Sequence, residues 1–144
     1  MQFIDLQRQY QHLKSRIDRR IQTVLGHGKY ILGPEVKELE EKLSDYVGVK
    51  HAIGVANGTD ALQLSLMALD VGSGDAVFTT TFTFFATAEV ISLAGARPVF
   101  VDIDAETYNI DPDLLDQAIE RVSVEGKYVP KAIISVDLFG LPAD

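Results

Sequence analysis

The sequence predicts an α/β fold, a mostly parallel sheet flanked by helices and preceded by an N-terminal helical segment. Two observations carry that prediction. From residue 51 onward short apolar runs alternate with helical stretches, the rhythm of parallel strands joined by crossover helices. Before residue 50 the apolar residues recur instead at helical spacing, with Gly and Pro marking the boundaries. Two segments follow from this division, 1–50 helical and 51–144 α/β.

The elements can be justified in chain order. Leu13, Ile17, Ile21 and Val24 form one face of a first helix, and Arg8, Lys14, Arg16, Arg19 and Arg20 form its wet face. In GHGKYILGPEVKELEEKLSDYVGV, Gly28 and Gly33 break the chain and Pro34 suits the first turn of a second helix. Its outer face pairs Lys37 with Glu41 and Glu38 with Lys42, its inner face carries Val36, Leu39, Leu43 and Val47, and Gly48 stops it. HAIGVA (51–56) is then read as a strand, followed by a helix over 58–69, the strand AVFTT, a helix over 84–94 and the strand RPVFVDI. A helix opening at Pro112 with Asp111 as its cap and a final strand in KAIISVDL complete the pattern. Right-handed crossovers place the strand C-termini along one edge, where ligands of such sheets gather.

Composition narrows the function. The 144 residues carry 21 acidic and 13 basic side chains, a net charge of −8, which opposes a duplex nucleic acid partner. The absence of cysteine removes disulfides, thiolate metal sites and a cysteine nucleophile. The opening MQFIDLQRQYQHLKSR lacks the layout of a signal peptide and no apolar run is long enough to span a bilayer, so no membrane partner and a cytoplasmic location are expected. His12, His27 and His51 have no ligand spacing. Asp102, Asp104 and Glu106 imitate the start of a calcium loop, but Thr107 stands where its turn glycine belongs, so no metal is expected. No GxSxG, GxGxxG or GxxxxGK[ST] occurs.

Two corners remain. In GVANGTDALQLSL a strand-like run meets a helix at Asn57-Gly58; free N–H groups there, a close approach at Gly58 and the Thr59 hydroxyl suit a phosphate. Asn-Gly is also a common turn and Thr a common cap, so taken alone the corner leaves both readings open. In TTTFTFFATAE, Phe82, Phe84 and Phe85 lie beside threonines where another helix starts, either as core or as a stacking platform for a planar ligand. A phosphate cradle beside an aromatic plate suits a phosphorylated aromatic cofactor.

FIDLQRQY, YILGPEVKELEEKL, GVANGTDALQLSLMAL, TTTFTFFATAEVISLAGARPVFVDID and YNIDPDLL resemble, in order and over essentially the whole chain, the N-terminal part of the DegT/DnrJ/EryC1/StrS family of pyridoxal-phosphate sugar aminotransferases. The resemblance implies a fold-type I, aspartate-aminotransferase-like large domain, a homodimer, pyridoxal 5'-phosphate as cofactor, and amino transfer, commonly from glutamate, to a nucleotide-linked keto sugar. It places Gly58, Thr59 and Asp60 on the cofactor phosphate and Phe84 on the pyridine ring, though any of the three phenylalanines can fill that role. It sets Tyr30, Gly33 and Asp137 near the sugar-nucleotide substrate, Asp137 standing where many relatives carry His. The family's Schiff-base lysine corresponds to a position beyond residue 144, so the chain is expected to be an incomplete cofactor domain that binds weakly and does not turn over alone. Two alternatives stay open: a sugar dehydratase of the same family, and a non-catalytic phosphate-binding or regulatory module.

Overall fold

The computed structural model describes residues 3–143; Met1, Gln2 and Asp144, the outer limits of the two expected segments, lie outside the described residues. Two compact units are present, Met1–Gly54 and Val55–Asp144.

The first unit is two helices. Helix α1 (Leu6–His27) starts where the Asp5 carboxylate accepts the Arg8 N–H at 2.8 Å, and it ends at Gly28, whose left-handed φ of 67° lets its N–H reach the Val24 carbonyl. Helix α2 (Pro34–Val47) begins with Pro34 in its first turn and ends at Gly48 in the same left-handed conformation. Neither helix buries a residue within this unit. Side chains link them through polar groups: Arg20 meets Glu38 through two parallel hydrogen bonds, and Lys42 bonds the same carboxylate from one turn below. Between them lies an apolar groove of about 610 Å³ lined by Ile21, Val24, Leu25, Tyr30 and Leu39.

The second unit holds the sheet. Its elements are α3 (Gly58–Ala68), β1 (Asp75–Thr80), α4 (Ala86–Leu93), β2 (Arg97–Val101), α5 (Pro112–Glu125) and β3 (Val129–Ile133). The three strands are parallel in the order β2-β1-β3, with Phe78 of β1 level with Val99 and Ile133. Both edge strands contain a proline, Pro98 beside Val77 and Pro130 beside Ala76. Strand β1 is buried on both faces, and its alternation sorts the core. Val77 packs with Leu66 of α3 and Val90 and Ile91 of α4, while Ala76 and Phe78 pack with Ala118 and Val122 of α5 and with Val101. Fully burying each valine, leucine, isoleucine or phenylalanine side chain among them is worth about 1.5–3 kcal/mol relative to exposure.

The expected strand in HAIGVA does not form. Residues 51–56 join no ladder among the described residues, and Ile53 is 80% exposed. An apolar run becomes a strand only where it lies along an edge that takes its N–H and C=O groups; the sheet has free edges at β2 and β3, and residues 51–56 pair with neither. The remaining strands shift at their ends. β2 stops at Val101, short of Asp102-Ile103, and Ile103 instead makes a lone antiparallel bridge to Ile110. β3 begins at Val129 and ends five residues before Leu138. The helix expected over 84–94 begins only at Ala86, which releases Phe84 and Phe85 from its first turn.

Candidate functional site

Connectivity gathers the loops that matter at one edge. Residues 69–74 alone join α3 to β1, and α4 runs back between the parallel strands β1 and β2, so both helices run opposite to the sheet. The N-termini of α3 and α4 therefore lie at the C-terminal edge of β1, on the face holding Val77. After β1 the chain turns to that face for α4, and after β2 it turns to the opposite face for α5. Neighbouring strands whose connections leave on opposite faces open a crevice at their C-terminal ends.

At the start of α3 the sequence does two things at once. Asn57, extended at φ −163°, caps the helix: its Oδ1 accepts the Asp60 N–H at 2.8 Å, and its Nδ2 donates to the Asp60 carboxylate at 3.1 Å. The Ala61 N–H takes the Asn57 carbonyl, so the first two amides of the helix, at Gly58 and Thr59, keep no helical partner. A Cβ added at Gly58 meets no atom within 4 Å, and its φ is not left-handed, so neither packing nor backbone geometry in this chain requires glycine there. Two amides without helical partners, beside the Thr59 side chain and a residue with no Cβ, suit a phosphate group.

The neighbouring corner separates the three phenylalanines. Phe82, 38% exposed, belongs to a ring cluster with Tyr108 and Phe139, its centroid 5.8 Å from the first and 5.9 Å from the second; Tyr108 and Phe139 meet edge to face at 5.4 Å. Phe84 and Phe85 remain 75% and 73% exposed, outside that cluster, and are the rings free to stack on a ligand. The threonines serve the turn itself. Thr80 Oγ1 accepts the Phe82 N–H at 3.1 Å, Thr79 Oγ1 donates to the Ile134 carbonyl at 2.9 Å, and Thr83 bonds Thr87 at 2.8 Å. Tyr108 and Phe139 arrive from the loops after β2 and β3, and Tyr108 holds a left-handed φ of 62°. Nothing in the local sequence marks them, because their neighbours are set by the sheet order. Asn57 was legible: a capping residue three positions before an acid is a helix-start signature.

Of the residues expected near the substrate, Asp137 and Gly33 have local roles and Tyr30 is exposed. Asp137 Oδ1 accepts the Ala143 N–H at 3.1 Å and its carbonyl accepts the Gly140 N–H at 3.0 Å, which closes the loop after β3 on itself. Gly33, in the helical unit, is glycine for a steric reason, since a Cβ there lies 2.4 Å from the Lys29 carbonyl oxygen. Tyr30 is exposed on the same loop, beside Leu32, which holds a left-handed φ of 47°. The Lys29 N–H donates to His27 Nδ1 at 3.0 Å, so in the neutral ring the proton sits on Nε2, 3.1 Å from Glu35. That hydrogen bond holds the Glu35 carboxyl below its ordinary range.

The acids once resembling a calcium loop form a turn. Asp104 Oδ1 accepts the N–H groups of Thr107 and Glu106 and the Thr107 hydroxyl, and the Thr107 amide bond leads in lowering its pKa. Among the described residues no group of acids and histidines is placed to hold a metal, and no helix is long and apolar enough to cross a membrane. Lys14, Lys37 and Lys42 each pair with an acid one turn away, which keeps them on solvated helix faces.

Known proteins share this arrangement. The chain is 56% identical over its full length to the UDP-2-acetamido-2-deoxy-3-oxo-D-glucuronate aminotransferase of Pseudomonas aeruginosa, of which it spans 38%. It matches the crystal structure of a DegT DnrJ EryC1 StrS aminotransferase from Brucella abortus with a TM-score of 0.97 and 54% identity, covering 100% of this chain and 39% of that one. It also matches NtdA of Bacillus subtilis with bound cofactor PMP, at a TM-score of 0.78 and 33% identity over 89% of this chain and 28% of that one. The architecture is that of the N-terminal part of the fold-type I aminotransferase large domain. The sequence profile of the DegT/DnrJ/EryC1/StrS aminotransferases matches residues 11–144, and the chain belongs to that family.

Proposed function

We propose that the full-length protein carrying this chain is a pyridoxal-phosphate-dependent aminotransferase that moves an amino group, commonly from glutamate, onto a nucleotide-linked keto sugar. Residues 51–144 supply part of its cofactor site. The observation that carries the reading is the start of α3, where two amides keep no helical partner beside Thr59, at a glycine whose added Cβ would meet no atom within 4 Å and which this chain's own packing does not require. Gly58 and Thr59 would hold the phosphate, with Asp60 closing the first turn, and Phe84 would cover one face of the ring. Bound there, the cofactor supplies the electron sink for amino transfer, and the protein supplies binding and orientation.

The nucleotide-sugar class is supported by the Pseudomonas relative, whose name specifies a UDP-linked 3-oxo sugar acid. Tyr30, Gly33 and Asp137 are proposed near that substrate, a homodimer is the proposed assembly, and the cytoplasm the proposed compartment.

Titrating the full-length protein with pyridoxal phosphate and following cofactor absorbance tests the reading. Thr59→Ala weakens binding roughly tenfold, the loss of one hydrogen bond to a charged group. Phe84→Ala shifts the absorbance maximum of the bound cofactor, whereas Phe82→Ala acts mainly on stability. Unchanged affinity and spectrum in both Thr59→Ala and Phe84→Ala would overturn the assignment.

A further inference from the structure

The loop between α1 and α2 is held by very little. Tyr30, Ile31 and Leu32 are 66%, 89% and 80% exposed, so apolar burial does not anchor it. Leu32 lies in the left-handed region at φ 47°, a conformation that costs a non-glycine residue free energy and persists only where neighbouring structure imposes it. Among the described residues, the one hydrogen bond made by residues 29–32 is the Lys29 N–H donating to His27 Nδ1 at 3.0 Å. The ring that accepts it is tied on its other side as well, with Nε2 3.1 Å from Glu35 Oε1 in the first turn of α2. One imidazole therefore bridges the end of α1, the loop and the start of α2. A backbone N–H can only donate and a carboxylate can only accept, so the bridge needs a neutral ring with its proton on Nε2. Protonation places a second proton on Nδ1, facing the Lys29 N–H. The bond to Glu35 then survives with added charge, and the bond to the loop does not.

We propose that His27 is a pH-sensitive latch on this loop: the neutral ring holds the Lys29 amide, and the protonated ring keeps Glu35 and lets the loop go. The charged and titratable groups around it are few. Glu35 on α2 meets the ring directly, Lys29 and Tyr30 belong to the loop itself, and Arg20 on α1 acts on Glu35. Glu38 is taken up by Arg20 and Lys42. Histidine changes charge between about pH 5 and pH 8, so the latch is whole at the upper end of that interval and open at the lower. The latch stands on the geometry of this loop alone. Its consequence for catalysis, that acid loosens the loop carrying Tyr30 and weakens nucleotide-sugar binding, rests on the function proposed above.

The test is NMR on the full-length protein carrying nitrogen-15 in lysine and histidine, with Lys29→Arg and His27→Asn assigning the two signals. At about pH 8 the His27 ring carries its proton on Nε2. As the pH falls to about 5, the ring signal and the Lys29 amide signal move together with one midpoint, and exchange of the loop amides, corrected for its intrinsic pH dependence, speeds roughly three- to tenfold, the scale of one lost hydrogen bond. His27→Ala has no side-chain acceptor and fixes the Lys29 amide at the open position at every pH. His27→Asn restores an acceptor that reaches the N–H two residues on without titrating, and keeps the amide at the latched position even in acid. A Lys29 amide that ignores the ring titration, a neutral ring protonated on Nδ1, or the same pH response in His27→Asn as in the unsubstituted protein overturns the proposal. UDP, the nucleotide in the name of the Pseudomonas relative, is the probe for the consequence. At about pH 5 it binds His27→Asn tighter than the unsubstituted protein by the same three- to tenfold, and at about pH 8 it binds both alike. Equal UDP affinity at both pH values, with the amide still titrating, leaves the latch standing and removes Tyr30 from the substrate.

Discussion

The two units of this chain obtain their order in opposite ways. In Met1–Gly54 the helices are specified from their ends and surfaces: a side-chain cap at Asp5, glycine stops at positions 28 and 48, and a chelated Arg20–Glu38–Lys42 cluster, with no residue of either helix buried within the unit. In Val55–Asp144 the elements are specified from the inside, by a strand buried on both faces and a separate apolar cluster on each. Local rules are enough to make a helix, but only burial makes it resist unfolding. The helical unit therefore has its shape written in the sequence and leaves its apolar stripe, Ile17, Ile21, Leu25, Leu39 and Leu43, open to solvent within these residues.

The comparison is broken most directly at its strongest point. Phe78→Ala removes a ring that is 1% exposed at the centre of the sheet and costs the α/β unit about 3–5 kcal/mol. Hydrogen exchange resolved by segment then shows protection lost over 75–80 and 129–133 and unchanged over 6–27; a loss spread evenly over both units would erase the distinction. A cap counts for less. Asp111 Oδ1 accepts the Leu114 N–H at 3.0 Å, and Asp111→Ala costs about 1 kcal/mol in urea unfolding of the α/β unit.

In the helical unit the corresponding lever is acid. Arg20 first, and then Lys42, hold the exposed Glu38 carboxyl down at about 2 from its ordinary 4.5. A depressed folded value means that the stabilisation is whole above about pH 4.5 and is lost as the pH falls through 2. Salt weakens it further because both partners are solvated. Helix content of residues 6–47 followed by NMR falls over that window, and Glu38→Gln removes the pH dependence while leaving the sheet untouched. The smallest effect belongs to the open surface. Tyr46→Ala, at a side chain 89% exposed, changes stability by no more than about 0.5 kcal/mol. A larger cost in the full-length protein would mean that this helix face is covered there.

The same division explains what could be read from the sequence. Helix ends were legible because Gly28, Pro34, Gly48, Asp111 and Pro112 act on backbone within a few residues of themselves. HAIGVA misled because a strand is a property of two segments, and periodicity in one says nothing about the other. The ring at the site was ambiguous for the same reason. Which of Phe82, Phe84 and Phe85 stays free is decided by Tyr108 and Phe139, brought in from the other two strand ends. Gly33 drew attention for a substrate, yet the Lys29 carbonyl 2.4 Å from its missing Cβ is reason enough for the residue. Asn57 was underread: the spacing to Asp60 announces a cap, and only the coordinates show its second hydrogen bond.

The prolines of the outer strands have a consequence for behaviour in concentrated solution. A flat strand with a full row of donors invites a copy of itself to dock alongside, which is how soluble chains begin to form fibrils. Pro98 and Pro130 each delete a donor from a five-residue strand, so neither flank presents a complete row of backbone groups. Placing a valine at either position would hand the molecule a sticky margin, and turbidity at high protein concentration would register it.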